Sequence, residues 1–269
     1  MSAIREITSV HNPQVVFLRD LQKARARRES GLFLAESMKM VREAIGLGLC
    51  RLLIVDTKRA GEYADLIEAA QGKGCDVLLV TAAIMQAISE AKTPQGVCCT
   101  VEIPAQPQEI GGNLIVAMDG VQDPGNVGTI LRTADAAGFD GALLSGACAD
   151  LYGAKTLRAT MGSVFRVPVR RTDDLAAELE AMKARGYAIV ATELGGADFY
   201  AHCPHSKAVL VIGSEGNGVS SAVRAVATHH LALPMRGGAE SLNAAVAAGI
   251  MIYEMARERS SLSHDSKEK

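Results

Sequence analysis

Apolar residues in this chain gather in short runs, and the stretches between the runs carry them at helical spacing. In the N-terminal part, the runs at 32–35, 52–55, 77–80 and 96–101 predict buried strands, and 38–47 predicts a helix. Residues 13–29 set Val16, Leu18, Leu21 and Ala24 near helical spacing, which predicts one helix with Arg19, Lys23, Arg25, Arg27 and Arg28 alongside. Further on, runs at 114–118, 142–144, 164–169, 188–191, 209–212 and 231–233 predict strands, with helices over 173–185 and 242–259. Strands alternating with helices predict a largely parallel sheet covered on both faces.

Between the two regions, Pro104, Pro107, Gly111 and Gly112 interrupt any periodicity. The expected organisation is therefore a small α/β domain over 1–104, a linker at 105–112, a second α/β domain over 113–260 and a polar tail at 261–269. The last predicted helix is small or apolar on nearly every side from Ala244 to Met255, so it must be covered on every side. One side can face the sheet and the other a second subunit, which predicts a homodimer.

Composition narrows the picture mainly by exclusion. The 269 residues are 48% hydrophobic and 22% charged, ordinary for a folded protein, and the net charge of −2 gives no global attraction to nucleic acid. Any nucleic-acid surface must come from local clusters, and Arg25, Arg27 and Arg28 form one. The six cysteines show no metal or disulfide spacing, which predicts reduced thiols and a cytoplasmic protein. Neither a signal-peptide pattern nor a membrane-length apolar run is present, so no membrane role is expected. The stretch His202-Cys203-Pro204-His205 does not assemble four ligands, and no metal is expected.

Chemistry concentrates where strand runs end. Residues 119–132 (DGVQDPGNVGTILR) read as strand, turn and helix, with Asn126 a candidate N-cap. On that helix Val127, Ile130, Leu131 and Ala134 form the buried stripe and Arg132 falls off it. Residues 213–218 (GSEGNG) follow another strand; the glycines let a ligand approach the backbone, and Glu215 is the ionisable group. Their order is not the dinucleotide-binding G-x-G-x-x-G, which argues against a nicotinamide-dependent oxidoreductase. Residues 231–243 (LALPMRGGAESLN) lead into the last helix, with Ser241 and Asn243 expected in its first turn. Lys155 and Arg158 would suit a phosphate.

Residues 126–132, 213–218 and 240–243 together resemble the three ordered motifs of the SpoU (TrmH-type) RNA ribose 2′-O-methyltransferases of the SPOUT superfamily. The resemblance implies a parallel sheet with a trefoil knot, S-adenosyl-L-methionine as cofactor, and methyl transfer to a ribose 2′-hydroxyl. It implies Arg132 as the central catalytic residue, with Asn126, Glu215, Ser241 and Asn243 ordering the site. Cofactor contacts then fall on Thr192, Gly213, Glu215, Gly218, Leu233, Met235, Ser241, Leu242 and Asn243. The N-terminal domain is similar to the RNA substrate-binding domains of this family, at residues 33–39 (FLAESMK), where Glu36-Ser37 replaces the usual Glu-Gly. That domain favours large-subunit ribosomal RNA over transfer RNA as substrate, and Arg25, Arg27, Arg28, Lys155 and Arg158 are the expected RNA contacts. A non-catalytic RNA-binding or ribosome-assembly factor on the same fold is the alternative.

Overall fold

A computed structural model describes residues 3–262, so most of the expected tail at 261–269 lies outside the described residues. The chain forms two units, one of residues up to Ala105 with Asp150–Gly162, the other of Gln106–Ala149 with residues from Ser163 onward.

In the first unit the elements are β1 (Ile4–Ile7), α1 (Pro13–Asp20), α2 (Ala24–Ser30), β2 (Leu32–Glu36), α3 (Met38–Gly46), β3 (Cys50–Asp56), α4 (Ala64–Gly72), β4 (Asp76–Val80), α5 (Ala82–Ile88) and β5 (Val97–Glu102). They build a sheet in the order β1-β4-β3-β5-β2. Strands β1, β4 and β3 run parallel, while β5 runs antiparallel to both β3 and β2. Its core on one face joins Val15, Leu18 and Leu21 to Ile54, Leu78, Ile84 and Ile88.

The single helix expected over 13–29 is two. Helix α1 starts at an Asn12 cap, whose Oδ1 accepts from Gln14 N at 2.9 Å, and Pro13 takes the first position. The chain then turns extended at Lys23 before α2. Carbonyls freed at this break need donors. Arg27 supplies them, its Nη1 donating to Leu21 O at 2.6 Å and Gln22 O at 2.8 Å, while Nη2 donates to Asp150 Oδ2 at 2.6 Å. The Arg27 side chain is 7% exposed, so its guanidinium is internal structure and not part of an RNA-facing cluster.

At the Glu36-Ser37 departure from Glu-Gly, the backbone keeps a conformation suited to glycine. Ser37 joins β2 to α3 with φ 115° and ψ 142°, a region open to glycine and strained for other residues, while its Oγ caps Met40 N at 3.4 Å. Relief of strain should outweigh the loss of a long cap bond and the added freedom of the unfolded chain. Ser37→Gly should therefore stabilise the protein by about 1 kcal/mol, read as a higher denaturant midpoint at unchanged slope; a lower midpoint would show that the hydroxyl matters more than the backbone.

The second unit contains β6 (Leu114–Asp119), α6 (Pro124–Ala136) and β7 (Gly141–Ser145). The chain then leaves for the first unit, where α7 (Ala154–Thr160) packs on β2 and the Tyr152 and Phe33 rings lie 5.0 Å apart. It returns for β8 (Val169–Thr172), α8 (Leu175–Ala184), β9 (Ala188–Asp198), α9 (Phe199–His202), β10 (Ala208–Gly213), α10 (Ser221–Val226), β11 (His229–Ala232) and α11 (Ala244–Leu262). All strand pairs of the sheet, ordered β11-β9-β10-β6-β7-β8, are parallel. Ile115, Ala117, Ile189, Val209 and Val211 meet Leu175, Leu179 and Met182 of α8 on one side. Helices α6 and α11 pack together, with Gly249 facing Thr133.

The strand expected at 164–169 is instead a helical turn over Ser163–Phe165, with β8 beginning only at Val169. Ser163 Oγ and Arg166 Nη2 both donate to Asp135 Oδ2 on α6 at 2.7 Å, which draws this segment out of the sheet. Val164 and Val167 are buried by that packing.

Candidate functional site

Parallel strands bring their C-terminal ends to one edge, and the register Gly213↔Asp119 sets the ends of β10 and β6 side by side. Three loops meet there: β6 to α6, β10 to α10, and β11 to α11.

The first loop is capped by Asp123, whose Oδ1 accepts from Asn126 N at 2.9 Å, with Pro124 opening the helix. Asn126 is therefore inside the first turn rather than at the cap, and its side chain is released for another use. Its Nδ2 donates to Glu215 Oε1 at 2.7 Å, and its Oδ1 accepts from Asn243 Nδ2 at 3.1 Å. Asn243 in turn caps α11, its Oδ1 accepting from Ala245 N at 2.9 Å and Val246 N at 3.3 Å. One hydrogen-bond chain thus ties all three loops together. Partial burial pushes the Glu215 carboxyl up, but the Asn126 amide and the backbone N–H groups of Glu215, Gln122 and Asp123 outweigh it and hold the acid below its ordinary range.

The second loop closes on itself, Ser214 and Gly218 exchanging backbone hydrogen bonds of 3.0 and 2.9 Å. A Cβ on Gly213 would lie 2.1 Å from the Gly218 carbonyl carbon, so only glycine fits.

A cleft of about 840 Å³ opens beside these loops, and every expected cofactor residue lines it: Thr192, Gly213, Glu215, Gly218, Leu233, Met235, Ser241, Leu242 and Asn243. Thr192 donates its hydroxyl to Val211 O at 2.9 Å, so that donor is already engaged. Ser241 lies in the loop before α11, not in its first turn, because Asn243 is the cap. Apolar side chains stand uncovered around the cleft, Leu194 at 76% exposure and Met235 and Leu242 at 38%.

Glu193 and Arg224 also line the cleft and were not expected. Glu193 lies 3.2 Å from His230 Nδ1 and 3.9 Å from Arg224. The signal was available, since Glu193 follows Thr192 at the end of an apolar run.

Arg132 is exposed on α6, off the buried stripe of Val127, Ile130, Leu131 and Ala134. It does not line the cleft. Six residues beyond Asn126, it stands about 9 Å further along the helix. Of the basic residues, Arg25 and Arg28 are exposed on α2, with Arg25 paired to Glu29 at 2.7 Å. Lys155 and Arg158 are exposed on α7 and so belong to the first unit, not to the unit holding the cleft. Among the described residues, no group of three or more His, Cys, Asp or Glu could hold a metal ion, and no helix is long and apolar enough to cross a membrane.

The profile of the SpoU rRNA methylase family matches residues 113–253, and that of an MRM3-like substrate-binding domain matches 12–99. The chain is 33% identical to the 23S rRNA (guanosine(2553)-2′-O)-methyltransferase RlmP of Bacillus subtilis, over 94% of this chain and 99% of that protein. An AdoMet-bound rRNA methyltransferase from Sinorhizobium meliloti superposes with a TM-score of 0.83 at 35% identity, covering 95% of this chain and 98% of the other. The SpoU methyltransferase AviRb of Streptomyces viridochromogenes, in complex with AdoMet, superposes with a TM-score of 0.81 at 28% identity, covering 93% and 99%.

Proposed function

The chain belongs to the SpoU rRNA methylase family, and from that premise we propose that it methylates a ribose 2′-hydroxyl of large-subunit ribosomal RNA. The observation that carries the reading is the Asn126–Glu215–Asn243 chain, which joins the three family motifs and whose Glu215 and Asn243 line one cleft.

S-adenosylmethionine is the methyl donor of this family, and the residues present fit it. Uncovered Leu194, Met235 and Leu242 suit the adenine ring, and Glu193 and Glu215 suit a cationic ligand. When bound, the cofactor supplies an electrophilic methyl group. The protein's part is to hold the ribose oxygen in line with it and to exclude water. Asn126, Glu215 and Asn243 fix the loops that do this, with Ser241 beside them. Arg132 is assigned to the substrate oxygen and the neighbouring phosphate, where a guanidinium, with five N–H donors and no acceptor, serves as an anion clamp rather than a base.

The exposed stripe Val246, Ile250 and Tyr253 on α11 supports a homodimer through that helix. The family fold supports a trefoil knot in the second unit. An RNA substrate and unbridged cysteines support a cytoplasmic enzyme.

The test is to map 2′-O-methylated riboses with and without the gene and to restore the missing one with purified protein and S-adenosylmethionine. Restoration on 23S ribosomal RNA is expected; loss confined to transfer RNA, or no loss, overturns the substrate assignment.

RNA affinity is assigned partly to the first unit, through Arg25 and Arg28. Replacing both by Gln should leave stability within about 0.5 kcal/mol. It should also flatten the salt dependence of RNA binding, by about 0.7–0.9 in the logarithmic slope for each phosphate no longer neutralised. Arg27→Gln should instead destabilise by about 2–3 kcal/mol, since it strips buried carbonyls of a charged donor. An unchanged salt slope in the double variant removes α2 from the RNA surface.

A further inference from the structure

We infer that the first unit holds a receptor for one unstacked RNA base, with guanine favoured over adenine, in the cleft between β2, α5 and β5. The inference rests on the reading that this unit binds RNA, and it names the contact. The cleft encloses about 140 Å³, room for a single ring system and not for a helix or a peptide. Its floor is apolar and sulfur-rich: Met85, Val97 and Cys98 are each at most 3% exposed, and Cys98 Sγ touches Met85 Sδ at 4.0 Å. Polarizable sulfur suits the face of a base.

The lip carries the selective groups. Glu36 is fixed there, its Oε2 accepting from Ser89 Oγ at 2.8 Å and its Oε1 from Glu90 N at 3.1 Å. Each carboxylate oxygen keeps a further lone pair. Two parallel acceptors match the adjacent N1–H and N2–H donors of guanine. Adenine offers a lone pair at N1, which a carboxylate repels. Arg158 on α7 also lines the cleft and can take the phosphate or stack on the base. Unstacked bases held on one face and read at the Watson–Crick edge are the usual currency of sequence-specific RNA recognition. Next to Glu36, Ser37 keeps its strained backbone, as residues at binding sites often do.

The experiment uses the full chain and labelled single-stranded uridine heptamers bearing G, inosine or A at the centre, with affinity read by fluorescence anisotropy at fixed salt. The wild type should prefer the G heptamer to the A heptamer about tenfold, with inosine, which lacks the 2-amino group, between them. Glu36→Gln should cut the preference to within about twofold, since the amide offers only one acceptor. Arg158→Gln should weaken all three heptamers alike. S-adenosylmethionine binding by calorimetry should be unchanged in both variants. Equal binding of the three heptamers by wild type, or a preference that survives Glu36→Gln, overturns this inference alone. Failure to bind any of them overturns it together with the RNA-binding role of the first unit. The inosine comparison needs no substitution in the protein, so it stands even if a variant misfolds.

Discussion

Arg132→Ala should abolish methyl transfer while S-adenosylmethionine affinity stays within a few-fold of wild type. Arg132 is exposed and lies off the buried stripe of α6, and among the described residues its side chain makes no hydrogen bond, so the core does not depend on that side chain. Stability should stay within about 0.5 kcal/mol. Its place outside the cleft predicts the split between binding and turnover. Removing one group that stabilises developing negative charge costs about 10²–10³ in rate, and the proposed second role on the RNA phosphate puts the expected loss at the upper end. Arg132→Lys should recover little, because an ammonium lacks the planar fork that spans two oxygens. Single-turnover rates at saturating cofactor and RNA, with calorimetry on the same samples, make the measurement. Retention of most of the rate overturns the catalytic assignment, and loss of cofactor affinity would move Arg132 into the cofactor site.

Strands buried on both faces were the legible part of the fold. β3, β4, β6, β7 and β10 are continuous apolar runs, and each lies within a residue or two of its expected bounds. What escaped was decided by tertiary contact. β1 is mostly exposed and is a strand only because it pairs with β4. The 164–169 run has strand composition, yet the ties from Ser163 and Arg166 to Asp135 hold it against α6. β9 runs past its expected end at 191 to Asp198, because β11 shifts register and pairs with the far side. The passage of Asp150–Gly162 into the first unit rests on the Arg27–Asp150 bridge and the Phe33–Tyr152 pair, both far apart in sequence.

The site was legible as residue types at strand ends, not as geometry. Asn126, Glu215 and Asn243 were each visible beside a turn, but their mutual hydrogen bonds span 89 and 117 positions. Asn126 looked like a cap because Asn caps helices well, and the true cap, Asp123, stands three positions earlier before a proline. Arg27 differs from its expected place for another reason. A run of arginines looks uniformly solvated, and one helical turn decides which of them points inward.

Gly213→Ala should cost the second unit its cofactor site. The residue ends β10, paired with Asp119, and an alanine Cβ would sit 2.1 Å from the Gly218 carbonyl carbon and 2.2 Å from Val219 N. Both neighbours are backbone, so no rotamer change can make room. The 213–218 loop must open, which breaks the paired hydrogen bonds of Ser214 with Gly218 and moves Glu215 away from Asn126. Overpacking a core usually costs about 1–3 kcal/mol, and a clash against main chain should reach or exceed the top of that range. The expected result is a loss of about 100-fold in S-adenosylmethionine affinity, which corresponds to about 2.7 kcal/mol. Gly216→Ala is the control for stability, since a Cβ there meets nothing within 4 Å. It should unfold at the wild-type midpoint. The first unit shares no element with this loop, so RNA binding through Arg25 and Arg28 should survive Gly213→Ala while methyl transfer is lost. Cofactor affinity within a few-fold of wild type would mean that the loop can relax around the methyl group, and the cleft's outline would then not depend on the closed turn.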